Sequence, residues 1–226
     1  MLKIPKQFQK IKITTEFKKF SHLKLGCALP YFFAPHSYLQ LQKLLKWAVE
    51  NDLKILPVGG ASNILMKKPQ NIAVILDKDL PQFLEFDNNN LQCSTNFNIN
   101  FILMLSTFHN LGGLEFLAGI PANLGGIIKM NAGAYGKNIS EFIDNVTVMQ
   151  NDGELKKIPD SSIFFDYRYC SLDGFILKTK LKLKNDQNSK NNLILTVRDK
   201  YRENKRKKKD SQAIRQSIFR IYQKKR

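Results

Sequence analysis

The sequence is poor in the residues that several protein classes require. It has three cysteines in 226 residues, Cys27, Cys93 and Cys170, and no CxxC pair. Such scatter argues against a zinc site or a disulfide scaffold and predicts free thiols in a reducing cytoplasm. No metal ligand set is expected. No apolar run approaches about 18 residues, so no membrane-spanning helix is predicted. The first twenty residues, MLKIPKQFQKIKITTEFKKF, lack the apolar centre of a secretory signal. Acidic residues are scarce as well: 19 Asp and Glu face 36 Lys and Arg, a formal net charge of +17.

That surplus is uneven. Residues 198–226 hold 13 Lys/Arg and 3 Asp/Glu, leaving +10 there and only +7 over the rest. A basic end can bind nucleic acid nonspecifically, or can simply be a solvated end. No RNA- or DNA-binding motif accompanies it. The mildly basic body suits a phosphorylated substrate.

Glycine is sparse but clustered. Five of the twelve glycines fall within GIPANLGGIIKMNAGAYG, residues 119–136, and two more sit in LPVGGASNIL, residues 56–65. Residues 1–25 read as a short helix or an irregular lead-in. PYFFAPHS reads as a strand, and SYLQLQKLLKWAVEND as an amphipathic helix capped by Ser37. LKILPVGG and IAVILD are buried strands, so the first 80 residues spell β-α-β-β. FLEF and LQCST, separated by DNNN, predict a hairpin. INFILMLSTFHNLGG predicts a helix stopping at Gly112 and Gly113. NVTVMQNDGELKKIP is a second hairpin with Asn-Asp-Gly as its turn. GFILKTKLKLK is an alternating strand, and LILTVRDKYRENKRKKK reads as helical.

Three stretches are candidates for chemistry. VGGASNIL is either a backbone nest for an anion, with Ser62 and Asn63 as added donors, or a tight strand–turn–strand. The long glycine-rich stretch is either a packed loop or a backbone surface for a large flat cofactor, being too extended for a single phosphate. In FDYRYCS, Arg168 lies among aromatics and is expected to be partly buried with a partner. A substrate carboxylate could serve; an internal carboxylate such as Asp166 is favoured on spacing alone.

Taken together, HLKLGCALPYFF, LPVGGASNIL, GLEFLAGIPANLGGIIKMNAGAYG and FDYRYCS resemble the UDP-N-acetylenolpyruvoylglucosamine reductase family, in that family's order, over roughly residues 21–183. The resemblance implies an α+β fold, a two-subdomain FAD-binding domain of the vanillyl-alcohol-oxidase (PCMH) type. It implies a lead-in at 1–20, subdomains at 21–78 and 79–185, and at 186–226 a linker and a basic remnant of a substrate-binding domain. Gly59, Gly60, Ala61, Ser62 and Asn63 are then expected at the FAD pyrophosphate. Gly119, Ile120, Pro121, Gly125, Gly126, Asn131, Ala132, Gly133 and Ala134 are expected along the pyrophosphate and flavin.

The implied activity is NADPH-dependent reduction of UDP-N-acetylglucosamine enolpyruvate to UDP-N-acetylmuramate for peptidoglycan synthesis, in the cytoplasm, by a monomeric enzyme with no specific nucleic-acid or membrane partner. Arg168 matches the family's active-site arginine, which stabilises charge developing toward the substrate carboxylate. The family's proton-donating serine lies in a GSxFKNP-like motif. Here QSIFR makes Ser217 the positional candidate, but Gln216 replaces the glycine and Ile221-Tyr222 the Asn-Pro. The family pattern is lost at KRKKK, from which a truncated or frame-shifted end is expected. The alternatives are therefore a flavin-binding remnant without turnover and, from a different class, a basic nucleic-acid-binding protein.

Overall fold

The computed structural model describes residues 2–66, 71–186, 194–199 and 202–203. Strand β1 (Tyr31–Phe33) leads into helix α1 (Tyr38–Glu50), then β2 (Lys54–Val58) and β3 (Ile72–Leu76). These strands form a parallel sheet in the order β1-β3-β2. The β-α-β-β expectation holds. Ser37 caps α1 as expected, its hydroxyl accepting from the Gln40 amide at 3.2 Å.

The central strand β3 is buried on both faces, which is why IAVIL reads as an unbroken apolar run. On one side α1 packs Leu41, Leu44, Leu45 and Ala48 against Phe33, Ala73 and Ile75. On the other, Phe17, Phe32, Val58, Val74 and Leu76 form a second cluster. Each fully buried leucine of α1 contributes about 2 kcal/mol relative to exposure.

The second half is built on an antiparallel sheet. Its strands are β4 (Leu84–Asp87), β5 (Asn90–Ser94), β6 (Ile143–Met149), β7 (Leu155–Pro159) and β10 (Phe175–Lys182), in the order β7-β6-β10-β5-β4. Both predicted hairpins are present. The Asn-Asp-Gly turn closes with the Gln150 amide donating to Glu154 O at 2.8 Å. Two further two-residue strands, β8 (Phe165–Asp166) and β9 (Tyr169–Cys170), form a small hairpin around Arg168.

Helices α2 (Ile99–Phe108) and α3 (Leu124–Lys129) bury Ile102, Leu103, Leu124, Ile127 and Ile128 against this sheet. The two sheets meet through Met149, Phe175 and Leu177, which join the α1 cluster. Among the described residues no helix is long and apolar enough to cross a membrane.

Two expectations need correction. Helix α2 stops at Phe108, not at the Gly112-Gly113 pair. Asn110 takes the left-handed conformation (φ 54°), and Gly112 enters a two-residue strand paired with Lys184. The asparagine tolerates that region well enough to serve as the stop. The glycine-rich stretch, moreover, is no uniform loop: it contains α3, and then a hairpin pairing Gly133–Ala134 with Lys137–Asn138.

Candidate functional site

The carboxyl end of the parallel sheet faces the amino end of α3 across a cleft. Strand β2 runs into Gly59 and Gly60, whose turn lies directly on Asn123. A Cβ on Gly59 would stand 3.2 Å from the Asn123 Cβ and 3.3 Å from Asp77 Oδ2; one on Gly60 would stand 3.4 Å from Asn123 Oδ1. A side chain at Gly59 would be tight against Asn123 and Asp77, whereas one at Gly60 would make ordinary contact. The left-handed residue of the turn is Ala61 (φ 47°).

Asn123 is held in place by the chain around it. The Leu124 amide donates to Phe97 O at 2.9 Å, and the Gly125 amide to Thr95 O at 2.8 Å. Thr95 itself is fixed to the sheet, its hydroxyl donating to Ile176 O at 2.6 Å. The segment 95–97 therefore docks α3 at the edge of β5, and the isolated bridge between Asn98 and Asn123 continues this pairing.

Between these walls lies a cavity of about 420 Å³, bounded by Gly59, Gly60, Asn96, Asn98 and Asn123, with Phe20, Leu76, Lys78 and Gln82 completing it. That volume falls in the range of about 300–1,000 Å³ typical of ligand clefts. Asn96 is 8% exposed. Its amide nitrogen donates to Asp77 O at 3.1 Å and Leu80 O at 2.9 Å, and its Oδ1 is buried with no protein partner. That acceptor is an unsatisfied buried polar atom behind the cavity wall.

Gly126 is exposed and does not line the cavity. It lies in the first turn of α3, and a Cβ there would meet nothing within 4 Å. The backbone presents a bare, exposed face where a cofactor could lie flat. Gly126 is helical with no positive φ, so a side chain there would meet no backbone strain.

Asp77 lies just behind the cavity wall and is 6% exposed. Burial pushes its carboxyl up to about 7, against the opposing effect of the Asn123 amide, which donates to Asp77 Oδ1 at 3.4 Å, and of a backbone hydrogen bond.

The Arg168 hairpin joins the other end of the glycine-rich stretch. The Arg168 guanidinium donates to Asn131 O at 3.4 Å and to Gly133 O at 3.0 Å. It also stands 5.0 Å from the centroid of Tyr167. The Asn131 side chain donates back to Asp166 O at 3.1 Å, and the Lys129 ammonium to Cys170 O at 3.1 Å and to Leu172 O. Arg168 is exposed, not partly buried as expected, and it pairs with these carbonyls rather than with Asp166. The Asp166 carboxylate instead accepts from the Tyr167 amide at 2.6 Å. Two carbonyl contacts position the guanidinium without supplying a counter-charge.

The structure gathers Gly59 and Gly60 at the cleft, and Asn131 and Gly133 at Arg168. Gly119 and Ile120 are clamped by Asn100: the Gly119 amide donates to Asn100 Oδ1 at 2.9 Å, and the Asn100 amide to Ile120 O at 3.0 Å. Pro121, Ser62, Ala132 and Ala134 are half-buried, and Asn63 is exposed. None of these lines the cavity. Ser217 and nearly all of the basic segment lie outside the described residues. Sequence reasoning missed Asp77, Asn96, Asn98 and Asn123. Two signals pointed to them: a carboxylate ending an otherwise apolar strand, and three asparagines within five residues after β5. Among the described residues no cluster of His, Cys, Asp and Glu could hold a metal, and none of Cys27, Cys93 and Cys170 is in a disulfide.

Comparison with known proteins accords with this geometry. Residues 29–159 match the protein family described as FAD binding domain. The UDP-N-acetylenolpyruvoylglucosamine reductase of Listeria monocytogenes serovar 1/2a is 32% identical over 162 residues, 72% of this chain and 54% of that protein. The reductase of the same name from Streptococcus mutans serotype c is 29% identical over 177 residues, 77% of this chain and 58% of that protein. The chain thus spans about half the length of the curated relatives it matches.

Among solved structures, the UDP-N-acetylenolpyruvylglucosamine reductase (MurB) of Thermus caldophilus superposes with a TM-score of 0.69 at 24% identity, covering 84% of this chain and 68% of that one. A cholesterol oxidase from Brevibacterium sterolicum gives 0.55 at 15% identity over 73% of this chain and 36% of that one. These likenesses establish the two-sheet α+β fold of the PCMH type. With more than half of its residues matched by the family and a cleft of fitting shape, the chain belongs to the FAD-binding domain family.

Proposed function

We propose that the chain holds FAD between its two sheets and works as an NADPH-dependent reductase of UDP-N-acetylglucosamine enolpyruvate, yielding UDP-N-acetylmuramate for peptidoglycan synthesis in the cytoplasm. The observation that carries the cofactor part is the cleft itself: a cavity of about 420 Å³ walled by the Gly59–Gly60 turn, Asn96, Asn98, Asn123 and Lys78. The substrate part rests on similarity to reductases of that name. In this reading residues 21–78 and 79–185 are the two subdomains that clasp the cofactor, and 186–226 belong to the substrate-binding part of a monomer.

Bound FAD supplies the two-electron chemistry. The protein's own contribution begins with the turn at 59–63, whose backbone amides would hold the dinucleotide phosphates. The segment at 119–126 and the residues at 131–134 give backbone that a planar ring system can approach. Arg168, fixed by Asn131 O and Gly133 O, holds the substrate carboxylate and stabilises the negative charge that builds toward it as the double bond is reduced. Ser217 is the candidate for delivering the proton to the substrate carbon.

Anaerobic reduction by NADPH, followed by addition of the enolpyruvyl substrate, tests the whole reading. The yellow chromophore is expected to bleach with NADPH and return with substrate. Bleaching without return would leave a flavin-binding protein without turnover.

A further inference from the structure

The apolar strand β3 ends in a carboxyl group placed where an anionic cofactor would oppose it. Asp77 follows Leu76 and precedes Lys78, both of which wall the cleft. Its Oδ1 lies 3.4 Å from the Asn123 amide nitrogen, and its Oδ2 lies 3.3 Å from the Cβ position of Gly59. No cation neutralises it among the described residues. Lys78 pairs with Asp79 at 3.6 Å, and its ammonium stands 5.4 Å from the centroid of Phe20. The other titratable group beside the turn is His22, whose backbone amide donates to Ala61 O at 3.1 Å.

Asn123 is shared between Asp77 and the cleft. Its amide nitrogen lies between Asp77 Oδ1 and the Cβ position of Gly59, each at 3.4 Å, and its Oδ1 lies 3.4 Å from the Cβ position of Gly60. An acceptor is the wrong polarity there for a phosphate, which needs donors. Protonation of Asp77 reverses the pair. The carboxyl then donates to Asn123 Oδ1, and the amide turns its nitrogen toward the turn. Asn96 cannot adapt in the same way, because its nitrogen is held by Asp77 O and Leu80 O. Its Oδ1 is buried away from the cleft. A switchable donor at the Gly60 turn matches the phosphate of a dinucleotide.

We propose that Asp77 is the positioning residue of this cleft: its protonated carboxyl turns the Asn123 amide nitrogen toward the cofactor phosphate, so that FAD loading takes up one proton. The inference rests on the reading of the cleft as the FAD site. Burial supports it, since a carboxyl pushed up to about 7 is neutral in a large share of molecules near neutral pH. The sign follows directly. The neutral form binds, so affinity is highest below pH 7 and falls as pH rises through and above that value. The one-proton limit is about tenfold per pH unit.

The test is an FAD titration of the full chain, stripped of flavin, between pH 6 and 9 at constant ionic strength. Wild-type affinity should be level at the acid end and fall above pH 7 toward that limit. Asp77→Asn, whose amide can donate to Asn123 without titrating, should bind with a level profile; His22→Gln should keep the wild-type slope. Calorimetry at pH 8 in two buffers of different ionisation heat should show net proton uptake by the wild type, a measurement that needs no variant to fold. FAD binding that is independent of pH and of buffer overturns the proposal and leaves the cofactor site standing. So does a slope that survives in Asp77→Asn, or one that vanishes in His22→Gln. A folded wild-type chain that binds no FAD at any pH overturns both.

Discussion

Gly126→Val is expected to give a folded but colourless protein. The position lies in the first turn of a short helix, with ordinary helical φ and no protein atom within 4 Å of where a Cβ would stand. Valine has a better helix propensity than glycine by a few tenths of a kcal/mol, and it meets no neighbour. The apo fold should therefore keep its thermal midpoint or gain slightly. What the isopropyl group does fill is the bare face proposed for the cofactor, so loss of stoichiometric FAD with retained circular dichroism is the expected result. Wild-type occupancy in this variant would show that the cofactor lies elsewhere. By contrast Gly59, only 3.2 Å from the Asn123 side chain on the same test, could not separate a loading defect from a packing defect.

Arg168→Ala is expected to leave flavin bound and remove turnover. The side chain is exposed, and its two hydrogen bonds go to backbone carbonyls that solvent can satisfy. The cost to stability should stay within about 0.5 kcal/mol. Its proposed role is electrostatic, on charge that exists fully only in the transition state. Removing such a donor typically costs about 100- to 1,000-fold in turnover. Single-turnover reoxidation of the reduced protein by substrate, compared with flavin content, separates the two effects. Loss of flavin together with turnover would assign Arg168 to the architecture that joins the hairpin to Asn131 and Gly133.

Much of the fold was legible from periodicity. The strand–helix–strand–strand opening, the Ser37 cap, both hairpins and the alternating strand β10 all follow from patterns local in sequence. Helix α3 was not legible, because six residues with two glycines carry too little periodicity to separate from a loop. The stop of α2 was misplaced because a glycine pair is a stronger local signal than Asn110.

At the site, the two glycine clusters were visible, but the wall between them was not. Asn96, Asn98 and Asn123 come together only because Thr95 O and Phe97 O receive the amides of Gly125 and Leu124 across 27 to 30 residues of chain. The partners of Arg168 were equally hidden, since backbone carbonyls leave no side-chain signature. Asp77 was visible as a letter, but its meaning depends on burial and on Asn123, both of which are tertiary.

The central claim is that the cleft between the Gly59–Gly60 turn and Asn123 holds FAD. Titrating FAD into the flavin-free full chain, with absorbance followed near the oxidised-flavin band at roughly 450 nm (a property of the ring system in any site), tests it most directly. The account predicts saturation at one FAD per chain and co-elution of the yellow colour with the protein on gel filtration. A folded chain that stays colourless with excess FAD would contradict it.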